Sequence, residues 1–112
     1  ILFSFGKLTD VVKNDLGLVP KEFNLEQNYP NPFNPSTIIK YSIPSVGKRH
    51  VSSVQLKVYD LLGCEVATLV NNEQKPGEYE VNFDANELAS GLYFYRMAAN
   101  GFTKTKKMIL LH

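Results

Sequence analysis

Asn28-Tyr29-Pro30-Asn31-Pro32-Phe33-Asn34-Pro35-Ser36 separates a short apolar start from a long run of alternating segments. Each of its three prolines removes a backbone donor and fixes φ, so the stretch suits neither a helix nor a central strand. It reads as a stiff, extended corner. Asn28, Asn31 and Asn34 carry amides suited to bonding nearby backbone, and Tyr29 and Phe33 offer two aromatic feet for a domain edge. Two readings of Tyr29, Pro30, Asn31, Pro32, Phe33, Asn34 and Pro35 stay open, a structural turn and a binding epitope.

Downstream of the corner the apolar residues fall into period-2 rows. Ile39, Tyr41 and Ile43 share one face against Ile38, Lys40 and Ser42, and Pro44 ends the run. Val54, Leu56 and Val58 repeat the pattern, and so do Tyr79, Val81 and Phe83. Between them, Cys64 to Val70 predicts a strand in which Val66 and Leu69 need a bulge to face inward together. Leu92-Tyr93-Phe94-Tyr95 is apolar on both faces, as in a central strand or one that meets a partner. Asn100-Gly101 predicts a two-residue hairpin into the last strand, Phe102 to Leu111, whose lysines suit edge protection. With Ile1 to Phe5 counted, about seven short strands divided by turn signals predict an all-β Greek-key sandwich.

Four blocks of this chain, in this order, resemble a known family. They are Phe23-Asn24-Leu25-Glu26-Gln27 running through the corner to Thr37, then Val58-Tyr59-Asp60-Leu61-Leu62-Gly63, Gly91-Leu92-Tyr93-Phe94-Tyr95-Arg96 and Lys106-Lys107-Met108-Ile109-Leu110. Together they are similar to the C-terminal sorting domain of the bacterial type IX secretion pathway, from about Phe23 to the C-terminus. The resemblance implies an immunoglobulin-like β-sandwich at the end of an exported protein, similar also to the Ig-like domain of flagellar hook-capping proteins. It implies no catalysis. It further implies recognition by outer-membrane secretion machinery through Lys106, Lys107, Met108, Ile109 and Leu110.

Residues 1–20 lie outside the resemblance, which divides the chain into an N-terminal arm and a domain of residues 21–112. Ile1, Leu2, Phe3, Phe5, Val11 and Val12 make that arm too apolar for a free linker. It reads as the end of a preceding domain, an extra strand on this sandwich, or a strand donated to a neighbouring copy. Deleting it is expected to leave the sandwich folded, because the rows after Phe23 supply a core. Beginning at Ile1 rather than Met predicts a processed product or a fragment, with any export leader upstream.

Composition limits the alternatives. A 112-residue chain with 44% hydrophobic and 21% charged residues suits one soluble globular domain. A net charge of +1, with aromatics not interleaved with arginine, argues against nucleic acid as a partner. One cysteine precludes an internal disulfide, and no apolar run approaches the roughly 18 residues of a transmembrane helix.

The chain offers no catalytic, metal or cofactor motif. His50 sits in a polar loop and His112 is the last residue, so neither is expected to be held in place. Cys64 is expected to be half-buried and inert. The function is therefore surface recognition, in one of two forms, besides a carbohydrate- or surface-binding module whose candidate exposed aromatics are Tyr29, Phe33, Tyr59 and Tyr95. One is a secreted or cell-surface sorting and anchoring module that follows a cargo domain. The other is a subunit of an extracellular filament, a homo-oligomer held by donation of the arm.

Overall fold

The structure, a computed structural model, describes residues 20–45 and 51–112. The assembly arm (Ile1, Leu2, Phe3, Phe5, Val11, Val12) and His50 lie outside the described residues. The described chain is all-β, with seven strands and no helix: β1 (Asn24–Leu25), β2 (Ser36–Ile43), β3 (Ser52–Tyr59), β4 (Glu65–Gln74), β5 (Gly77–Asp84), β6 (Gly91–Ala99) and β7 (Phe102–Leu110). They form a three-stranded sheet, β1-β2-β5, and a four-stranded sheet, β4-β3-β6-β7. All named strand pairs are antiparallel. Links from β2 to β3, β4 to β5 and β5 to β6 change sheet, while β3–β4 and β6–β7 stay within one, giving an immunoglobulin-like sandwich.

The period-2 rows become the core. Ile39, Tyr41 and Ile43 on β2 meet Val54, Leu56 and Val58 on β3 and Tyr93, Tyr95 and Met97 on β6 in one buried cluster. Burying side chains of this size contributes roughly 1.5 to 3 kcal/mol each before the entropy of ordering is subtracted. Tyr41 also links the sheets, its hydroxyl donating to the Gln74 side-chain carbonyl at 2.6 Å, while within its own sheet its ring stacks on Tyr79 with centroids 5.4 Å apart.

Two departures from the sequence reading lie in the strands. β4 runs to Gln74, four residues past the expected Val70, because Asn71 to Gln74, though polar, continue in regular register with Gln55 to Ser52, beyond the shifts beside Leu56/Lys57 and Val58/Tyr59. β1 has only two residues, too short for any periodicity, and was not expected.

Two others concern single residues. Cys64 is exposed rather than half-buried, since the Asp60–Gly63 turn lifts it clear of the core. His112 is held after all: its backbone N–H donates to Ser90 Oγ at 2.9 Å and its Nε2 lies 2.6 Å from the Leu88 carbonyl.

Candidate interaction surface at the proline corner and last strand

The proline corner and the last strand lie far apart in sequence and touch in space. Among the described residues β7 is the edge of the four-stranded sheet, with β6 on one side only. The corner covers the end of its open side. Phe33 N–H donates to the Ile109 carbonyl and Leu111 N–H donates to the Phe33 carbonyl, both at 2.9 Å, so Phe33 and Leu110 form a parallel bridge. Asn31 Oδ1 accepts the Ile109 N–H at 2.9 Å. Gln27 Nε2 donates to the Lys107 carbonyl at 2.8 Å.

Behind this contact is a buried polar knot. Asn28 is 2% exposed, and its side-chain nitrogen donates to the Pro30 carbonyl at 3.1 Å and to Thr37 Oγ1 at 3.0 Å. Its Oδ1 accepts from Gln27 Nε2 at 2.7 Å, and Thr37 Oγ1 donates to the same Pro30 carbonyl at 2.8 Å. Both N–H donors and the oxygen of the Asn28 amide group thereby have partners, as a buried amide requires. The Tyr95 hydroxyl accepts the Asn28 backbone N–H at 2.8 Å and donates to the Glu26 carbonyl at 2.6 Å. Burial pushes that hydroxyl up to about 12 from its ordinary 10.0, with the Asn28 bond opposing and the Glu26 charge adding to the rise.

The two aromatic feet part company. Phe33 is buried against Phe83, ring centroids 6.1 Å apart, whereas Tyr29 is 81% exposed beside Ile38. Asn31 and Asn34 are exposed, as are Pro30 and Pro32, and Pro35 is half-buried. The sorting residues also divide. Met108 and Leu110 are fully buried in the core, Lys106 is half-buried, and Lys107 and Ile109 face solvent. Gln27 and Thr37 tie the surface together without having been singled out in the sequence, and so does Tyr95, a candidate exposed aromatic that the structure buries completely. Only the apolar outer face of Leu92 to Tyr95 hinted that this strand carried more than core.

A second surface lies on the outer face of the four-stranded sheet. Asp60 Oδ1 accepts the N–H groups of Leu62 and Cys64, both at 2.9 Å, and so builds a firm turn that leaves Leu61 and Leu62 exposed. Beside it a cleft of about 270 Å³ is lined by Tyr59, Phe94 and Arg96, with the guanidinium 5.6 Å from the Tyr59 ring centre. Among the described residues no group of three or more His, Cys, Asp or Glu side chains is placed to hold a metal ion, and no helix is long and apolar enough to cross a membrane.

A family model for the secretion system C-terminal sorting domain matches residues 27–111, which takes in the corner, its knot apart from Glu26, and all of β7. The chain belongs to this sorting-domain family. No curated protein matches the chain. A type IX sorting domain is a signal for export rather than a catalyst, and it acts through contact with the secretion machinery. The family match ends at residue 111, so the corner and the strand it covers are both parts of the sorting domain itself.

Proposed function

We propose that residues 21–112 form a folded address that the outer-membrane secretion machinery reads at the last strand, after residues 1–20 have linked it to an upstream cargo domain. The observation that supports this most is the clamp of the corner on β7: seven-strand packing and the corner's bonds are needed to present one edge in one geometry. A short linear tag would need none of this.

The five sorting residues then have two roles. Met108 and Leu110 anchor the strand, and Lys106, Lys107 and Ile109 supply the surface that is contacted. The corner is chiefly structural, with Tyr29 its exposed contribution to the epitope. The destination is the cell exterior or the outer surface.

The test is to fuse the 112-residue chain behind a periplasm-targeted carrier in a bacterium with a type IX pathway and measure the carrier outside the cells. The carrier is expected outside only when the domain is present, and to stay inside with Met108→Asp, which places a charge in the core. Retention of the wild-type fusion, or release of the Met108→Asp fusion, would overturn the proposal.

A further inference from the structure

The corner covers only the end of the β7 edge. Backbone groups along an antiparallel edge strand point alternately to the paired and the open side. Ile109, Leu111 and the Lys107 carbonyl use the open side to bond Asn31, Phe33 and Gln27. By the same alternation the N–H and C=O of Thr103 and Thr105, and the N–H of Lys107, point outward, and all three residues are exposed. Among the described residues an edge five residues long is therefore open beside a closed one.

Its charge is one-sided. Lys104 and Lys106 lie on the face that Met108 and Leu110 share, and Lys107 lies on the opposite face near Arg96, whose neighbour in register is Thr105. Among the described residues the ion pair formed is Lys57 with Glu65, and none of the three β7 lysines has a carboxylate partner. Two β7 edges brought together would set these lysines against each other, which disfavours a second copy. An added strand bearing carboxylates meets the opposite sign on both faces.

We infer that the Thr103–Lys107 edge accepts an extended acidic segment of a partner protein by strand addition, with the corner acting as the stop that fixes how far the added strand runs. The inference rests on the sorting reading and names the mode and chemistry of recognition. Main-chain bonds to Thr103, Thr105 and Lys107 supply affinity, and the lysines select carboxylates and reject a basic strand.

The probe is a blocked heptapeptide alternating glutamate and threonine, added to the isotope-labelled 112-residue chain and followed by amide exchange and chemical shift. It is expected to slow exchange of the Thr103, Thr105 and Lys107 amides at least tenfold and to leave Ile109, already bonded to Asn31, unchanged. The lysine–threonine peptide should bind at least tenfold more weakly, and affinity for the acidic one should fall with added salt. Thr105→Pro removes an outward N–H without touching the β6 ladder, and it should abolish the protection. Lys104→Glu with Lys106→Glu should reverse the peptide preference in a chain whose edge backbone is intact.

Absence of binding, equal binding of the two peptides, shifts confined to another edge, or edge amides already protected without peptide would each overturn the inference. Export of the fused carrier is measured in parallel. A wild-type domain that exports its carrier yet ignores the peptide leaves sorting intact and removes the edge proposal. A domain that binds the peptide yet exports nothing removes sorting alone.

Discussion

Asn31 Oδ1 accepts the backbone N–H of Ile109 at 2.9 Å, joining the proline corner to a strand that begins some seventy residues later. Asn31→Ala removes this acceptor and leaves the Phe33 bonds in place. Stability is expected to fall by about 0.5 to 1.5 kcal/mol, the net worth of one hydrogen bond. Exchange at Ile109 should speed up while Met108, paired to β6, keeps its protection. Equal loosening of both amides would show that Asn31 supports the whole strand rather than its edge.

Tyr95→Phe tests the buried knot. The variant leaves the Glu26 carbonyl and the Asn28 N–H without their partner, at an expected cost of about 1 to 3 kcal/mol in urea unfolding at neutral pH.

The raised value of Tyr95 also fixes the direction of a pH effect. Because the folded hydroxyl titrates near 12 rather than 10.0, the stability it contributes is fully present below about pH 10 and is lost as pH rises through about 12. Burial raises Tyr41 in the same direction. Unfolding curves between pH 9 and 12, with phenolate absorbance in a chain that has no tryptophan, should show this loss. In Tyr95→Phe the alkaline loss should be smaller.

Asn100 and Gly101 form the tight turn between β6 and β7, with φ of 47° and 86°. A Cβ on Gly101 would meet nothing within 4 Å, so Gly101→Ala carries only the backbone cost of the left-handed region, about 1 to 2 kcal/mol. Asn100→Ala loses its bond to Ser52 Oγ at 3.2 Å as well as a residue tolerant of that region. Both variants should fold more slowly in a stopped-flow comparison and should leave binding at β7 nearly unchanged. Unaltered stability in both would argue against the tight turn.

The legibility of this fold varied with the range of the interactions that make it. β2, β3 and β5 were plain because one face of each is buried, and a row such as Ile39, Tyr41 and Ile43 records that directly. The Asn100-Gly101 turn was equally plain, being a local conformational demand. The extent of β4 was hidden because its last four residues, Asn71 to Gln74, are all polar and carry no apolar alternation. β1 owes its existence to pairing with Ser42 and Tyr41, and no pattern within Asn24 and Leu25 announces it.

The candidate surface was half legible for the same reason. The corner and Lys106 to Leu110 stood out separately, one through its prolines and the other through family resemblance. Their contact depends on Gln27, Asn31 and Phe33 meeting a distant backbone, which leaves no local trace. Tyr95 looked like one more apolar residue in a two-faced strand, because only the fold brings its hydroxyl to Glu26 and Asn28.

The most direct measurement compares export of the same carrier fused to the wild-type chain and to Lys107→Glu with Ile109→Ser. Both substituted residues are exposed on β7, so the fold should survive, with melting within a few degrees of the wild type by circular dichroism. The carrier found outside the cells should fall at least tenfold while the domain stays folded. Wild-type export by a folded variant would contradict the claim that the secretion machinery reads the last strand.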